Sequence, residues 1–145
     1  MKKSIAVLFV LALSTILVPT VYADGGCSNA TLTGSYSGNF RGWFPAVDKK
    51  GHLVLSNSTI LDLVGIANFD GAGNVTTSWT ACGNGACGPA SAKGTYSVKS
   101  DCTGKIKLKG QGAGNYNIAI ANGGSQFYLI YNDTGANVSG TATKQ

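Results

Sequence analysis

The 145-residue sequence contains no glutamate and a single histidine, and only 12% of its residues are charged. That poverty excludes several chemistries. General acid–base catalysis needs a placed histidine, or carboxylates whose pKa values are pushed apart. Here His52 stands in a polar stretch, and the six acidic residues, all aspartates, fall mainly in turn sequences. A calcium loop of the EF-hand kind requires a run of oxygen ligands ending in glutamate. Asp70 to Asn74 and Asp133 to Asn137 therefore read as Asx-stabilised turns. Serine and threonine are abundant but without a nucleophile elbow or a paired base. The expectation is a non-enzyme with no metal and no cofactor.

Long apolar runs are missing too, with one exception at the start. Lys2 and Lys3 precede an apolar stretch from Ile5 to Val18, and Val21-Tyr22-Ala23 has the small-x-small form of an export cleavage site. The apolar stretch is about 14 residues, short of the roughly 20 that span a bilayer. Residues 1–23 are read as a signal peptide and 24–145 as a single domain, secreted or periplasmic and without a membrane span. Lipidation of Cys27 is the competing reading, but polar Asp24-Gly25-Gly26 separates that cysteine from the apolar run. Without Lys2 and Lys3, nine basic residues face six aspartates, so the charge is about +3 rather than the +5 of the whole chain. So few charges, not interleaved with aromatics, do not make a nucleic-acid binder. Lys105, Lys107 and Lys109 form the one basic cluster. Their alternation with Ile106 and Leu108 marks a strand with one wet face, with a phosphate or acidic glycan contact as the sharper alternative.

What the chain has in quantity is glycine, 21 residues, placed in turn signals about ten residues apart from Leu32 onward. Between them lie eight strand-sized runs: Leu32 to Phe44, Leu53 to Phe69 with an interruption near Ser56-Asn57-Ser58, Val75 to Ala81, Lys93 to Ser100, Lys105 to Lys109, Asn115 to Ala121, Gln126 to Asn132, and Val138 to Thr143. Pro45 is expected to end the first, and Pro89 to bar a central strand from the segment before Lys93. Eight consecutive short strands bury their edges best by closing, so the expected fold is an all-β, eight-stranded antiparallel up-and-down barrel, with a β-sandwich as runner-up. A membrane barrel is disfavoured, because most runs are shorter than the 9 to 11 residues a spanning strand needs and their second face is polar.

The four cysteines, 27, 82, 87 and 102, read as two disulfides in an oxidising compartment. Cys82 and Cys87 flank Gly83-Asn84-Gly85-Ala86 and suit local pairing, which leaves Cys27 for Cys102. Zinc ligation by Cys82, Cys87 and His52 lacks a fourth ligand and requires reduced thiols.

Several of these motifs together carry a resemblance. Leu32-Thr33-Gly34-Ser35-Tyr36 after a cysteine, Phe69-Asp70-Gly71-Ala72-Gly73-Asn74, Gly94-Thr95-Tyr96-Ser97-Val98, Asp101-Cys102-Thr103-Gly104 and the closing Val138 to Gln145 resemble a family of small exported bacterial proteins. The resemblance implies a calycin-like barrel, in the group of shapes that includes lipocalins, avidins and allene oxide cyclases, and it implies no particular chemistry. The Cys82 to Cys87 insertion departs from that pattern.

An eight-stranded barrel is just wide enough to be filled by side chains or to hold one small ligand. The candidate wall comprises Tyr36, Trp43, Trp79 and Tyr116. Asp62, placed mid-strand between two leucines, and Arg41 are candidate polar contacts if they point inward. The expected partner is a small, largely apolar molecule. The alternative is an extracellular structural or interaction protein with a filled barrel.

Overall fold

In the computed structural model, which describes residues 26–47 and 53–145, the alternating runs become eight strands: β1 Thr33–Val47, β2 Leu53–Asp70, β3 Asn74–Gly83, β4 Ala86–Val98, β5 Thr103–Gly110, β6 Gly114–Ala121, β7 Gln126–Tyr131 and β8 Asn137–Lys144. The expected export segment and His52 lie outside the described residues. Each strand pairs antiparallel with the next. β1 also pairs with β8, from Tyr36 opposite Lys144 to Trp43 opposite Asn137, which closes the sheet into an up-and-down barrel. The barrel, not the sandwich, is the fold.

The Pro45 expectation is corrected, and so is the start of the fourth strand, while Pro89 indeed lies outside any segment flanked on both sides. β1 runs through Pro45 to Val47, and the pairing with β2 shifts register between Phe44 and Ala46. On the facing strand the partners jump from Val54 to Thr59, so the sequence interruption near Ser56 is a register irregularity inside β2. A proline is tolerated at such a bulge because no ladder hydrogen bond is demanded there. β4 in turn begins at Ala86 and passes through Pro89, which lies opposite Thr80 of β3. Pairing of β4 with β5 starts only at Ala92, so Pro89 sits in a segment bordered by one strand and its missing N–H has no second ladder to serve.

The cysteine segment is likewise tighter than a loop. Cys82 and Cys87 are direct cross-strand partners, and the chain reverses through Asn84 (φ 50°) and Gly85 (φ 81°). Asn-Gly with both residues at positive φ suits a two-residue hairpin whose twist matches its strands. The Asp70 turn between β2 and β3 is built by its own carboxylate. Oδ1 accepts the backbone N–H groups of Ala72, Gly73 and Asn74 at 2.8, 2.9 and 2.8 Å, and Oδ2 accepts the Asn74 side-chain amide. These bonds favour the ionised form and hold Asp70 at a pKa of about 2.

One end of the barrel is plugged by the segment that precedes β1. A single 3-10 turn, Asn29–Thr31, lies across it and delivers Leu32 to a fully buried position. The Tyr96 hydroxyl sits within hydrogen-bond distance of the Asn29 and Leu32 carbonyls, at 3.0 and 2.8 Å, and the Asn29 side chain accepts the Val98 N–H at 2.8 Å. The Tyr36 hydroxyl donates to the Gly124 carbonyl. Both disulfides form as expected, Cys27 to Cys102 and Cys82 to Cys87. The first fastens the plug, since Cys27 N–H also donates to the Ser100 carbonyl beside it. Behind the plug, Tyr36, Phe69, Tyr96 and Phe127 form a cluster of edge-on and tilted rings with centroids 4.9 to 5.5 Å apart. Such contacts add roughly 0.5–1.5 kcal/mol per pair to the burial itself.

Two outcomes are expected. Replacing Cys27 and Cys102 with serine releases a loop with a sequence separation of 75, and chain entropy gives a loss of about 4 kcal/mol in chemical denaturation. The same change at Cys82 and Cys87, separated by 5, costs only about 2 kcal/mol. For Asp70 the folded pKa lies below the ordinary value, so its stabilisation is complete above about pH 4 and is lost as the pH falls toward 2. Denaturation midpoints measured across that window should fall more steeply for the wild type than for Asp70→Asn.

Candidate functional site

Inward positions near the plugged end are large, and those near the other end are small or set back. On β3 and β4 the inward pairs facing that open end are Trp79 with Ala90 and Ala81 with Gly88. On β1 and β8 the inward pair is Phe40 with Gly140, and a Cβ on Gly140 would stand 2.6 Å from Cδ1 of Phe40. The Phe40 ring thus lies over the glycine and leans along the wall. The result is a cavity of about 370 Å3 in the open half of the lumen.

Its floor is Phe69, Val75 and Phe127, the top of the aromatic cluster. Its wall includes Phe40, Leu63, Thr77, Trp79, Ile106, Leu108, Tyr116 and Leu129, and its lip is formed by Leu61, Ala81, Gly88, Pro89, Gln111 and Gly112. Among the described residues, no lining side chain carries a charge. Trp79 packs edge-on against Phe40 with centroids 5.1 Å apart. The β5–β6 turn leans over the lip because Gln111 replaces a strand where β5 has ended: its N–H donates to the Ser91 carbonyl at 3.1 Å and its side-chain oxygen accepts the Ser91 N–H at 3.2 Å. The Tyr116 hydroxyl donates to the Gly112 carbonyl of the same turn at 2.8 Å.

Electrostatics at the lip oppose negative charge. Asp133 accepts the Asn115 N–H at 2.8 Å and the Asn115 amide at 2.7 Å, which holds its carboxyl below the usual range. Burial, together with Tyr131 and Asp133 nearby, pushes the Tyr116 phenol up to about 12. Burial and Asp133 raise Tyr131 as well. Tyr116 and Tyr131 therefore stay neutral through the whole neutral range, while Asp133 beside them is an ionised carboxylate outside the cavity lining.

Of the sequence candidates, the structure brings Trp79 and Tyr116 to the cavity. Tyr36 points inward but lies one layer deeper, fully buried in the aromatic cluster behind the floor. Arg41, Trp43 and Asp62 do not reach the lumen. Trp43 is on the outer wall at 36% exposure, and Arg41 Nε pairs with Asp62 Oδ1 at 3.0 Å on the outside, with both side chains more than half exposed. An ion pair so exposed contributes little stability, and it gives the lumen no charge. Sequence reasoning did not assign Phe40, Leu63, Ala90 or Leu129 to the site, although alternation places Phe40 and Leu63 on one face of their strands. Gln111 carries no periodic signal, because it lies in a turn.

The chain matches no protein-family model and no curated protein. Among solved structures it is similar to a de novo designed fluorescence-activating beta barrel, with 11% sequence identity over 79% of this chain and 94% of that one and a TM-score of 0.48. At that distance the likeness concerns the barrel and carries nothing about the lumen.

The Tyr116 assignment has a spectroscopic check. Its neutral form is favoured by folding, so this contribution is complete below about pH 10 and is lost as the pH rises toward 12. In an alkaline titration followed by phenolate absorbance, a late step near the upper end of that window should vanish in Tyr116→Phe. A step that persists in the variant would place the buried phenol elsewhere.

Proposed function

We propose that this protein is an exported carrier or sensor that holds one small, uncharged, largely apolar molecule in the open half of its barrel. The observation that supports this reading is the cavity itself: about 370 Å3, within the usual range of small-molecule sites, lined by aliphatic and aromatic side chains with a few neutral polar groups at the lip. A charged ligand would be desolvated there with no counter-charge among the described lining residues, which is costly. Among the described residues the lining is aliphatic, aromatic or neutral polar, which suits the holding of an apolar molecule. Residues 1–23 serve in this reading as the export signal and 24–145 as the carrier domain. The two disulfides are compatible with an extracytoplasmic location. Among the described residues no helix is long and apolar enough to cross a membrane. The polar outer face of β3 to β6 suits a barrel that works in water, as in the exported barrels its turn motifs resemble.

The test is direct because the two tryptophans occupy different environments. Titration with Nile red, an uncharged aromatic dye, should quench the fluorescence of Trp79 in the lumen. The effect should survive Trp43→Phe and disappear in Trp79→Phe. Ala90→Trp, which fills the wall opposite Trp79, should abolish dye binding while the melting transition is retained. Native mass spectrometry of protein from its own host should show a retained small molecule. A wild-type protein that binds no dye and carries no adduct would favour the alternative, a structural or interaction protein whose lumen is only residual space.

A further inference from the structure

The outer wall of the barrel has two unlike halves. Among the described residues, the large exposed apolar side chains Trp43, Ile60, Val64, Tyr128 and Ile130 all belong to β1, β2 and β7. The opposite side, β4 and β5, is lined with lysines. Lys93 and Lys109 are direct cross-strand partners, Lys107 stands opposite Thr95, and Lys105 stands opposite Ser97. All four lysines are exposed. Like charges set directly opposite on a sheet destabilise it. Among the described residues no carboxylate lies within 4 Å of any of them: the one ion pair there is Arg41 with Asp62 on the far side. Asp133 is close enough for its ionisation to feel Lys107, but it is bound by Asn115. Lys93, Thr95, Lys107 and Lys109 border a shallow depression over Gly94, where the inward-facing glycine brings its backbone against that of Lys107.

We propose that this face is a binding site for an acidic polysaccharide. Alternate residues of a strand lie about 6.7 Å apart, so Lys105, Lys107 and Lys109 form a straight row about 13 Å long, with Lys93 beside its end. A row of point charges on flexible stems suits a linear polymer with repeated carboxylates, whose position along the row need not be fixed. The hydroxyls of Thr76, Thr95 and Ser97 border the row and are suited to sugar hydroxyls. The outward residues of β4 and β5 include no aromatic to stack on a base and no large apolar side chain to enter a bilayer, which separates this partner from single-stranded nucleic acid and from a membrane surface. The site is independent of the lumen.

The test uses the full exported chain and polygalacturonate, with neutral dextran as control. Binding should be measurable at low salt and absent for dextran, and should weaken as salt rises. The variant Lys107→Gln/Lys109→Gln should lose about tenfold in affinity and reduce the salt slope by roughly two, one per lysine. Because both side chains are exposed and Lys109 faces Lys93, its thermal transition should equal or slightly exceed that of the wild type. Arg41→Gln/Lys144→Gln removes the same charge from β1 and β8, away from the row, and should retain wild-type affinity. Ala90→Trp should bind the polymer normally, so that failure of the lumen reading and of this one are distinguishable. The proposal is overturned by absence of binding to polygalacturonate at low salt, by equal losses in the two double variants, or by tighter lysine-dependent binding to phosphatidylglycerol vesicles or single-stranded DNA than to the polymer.

Discussion

Closure of β1 onto β8 is the constraint on which the rest of this structure depends. A sheet of eight strands with free edges would present two rows of unpaired backbone groups, and closure removes both. It also forces the inner faces of all strands to converge on one narrow space. Side chains there cannot all be large, and the strands nearest the seam answer with glycine: Gly38 and Gly42 on β1 and Gly140 on β8 lie where a Cβ would run into the neighbouring strand or the Phe40 ring. Without those glycines the seam could not draw tight. With them, space is left that other residues either fill or leave open.

The two ends of the lumen resolve that choice differently. At one end the chain before β1 folds back as a plug, and the rings of Tyr36, Phe69, Tyr96 and Phe127 pack beneath it with their hydroxyls, where present, bonded to backbone carbonyls. Apolar packing and satisfied polar groups make this half solid. At the other end β3 and β4 extend beyond β5, with β3 still paired to β2 and β4 bordered by β3 alone, and the hairpin is locked by Cys82 and Cys87; its inward residues beyond Trp79 are Ala81, Gly88 and Ala90. Small residues on this braced extension leave an apolar wall with room beside it. The disulfide that departs from the resembled pattern thus sits at the mouth of the cavity, and it keeps the lip rigid where only one neighbouring strand supports it.

Much of this was legible in the chain because turns and strand faces are local properties. Asp70 organises its hairpin through bonds to residues at most four positions away. The cysteine pairing followed from loop length, and the wet face of Lys105 to Lys109 from alternation with Ile106 and Leu108. Pro45 misled, and Pro89 hid the first half of β4, for a tertiary reason. Whether Pro45 or Pro89 interrupts a strand depends on whether a second strand needs its N–H, and that is set by where the neighbouring strand starts and stops.

The candidate site shows the same boundary. Alternation groups Arg41 with Trp43 and Asp62 with Ile60 and Val64, but a period of two does not say which group faces the axis when both contain aromatic or branched residues. Closure settles it by area: the inside takes Phe40, Leu61 and Leu63, and the outside is left with the tryptophan and an ion pair that water can solvate. Depth along the axis is equally invisible from a single strand. Tyr36 and Phe40 share a face four residues apart, yet one is sealed beneath the floor and the other lines the cavity, because the stagger between strands and the reach of the plug fix the level of the floor. The order of residues therefore specifies the turns, the strands and the covalent links, all of which are settled by near neighbours. The cavity is a remainder left between eight strands once they close, and no strand carries it alone.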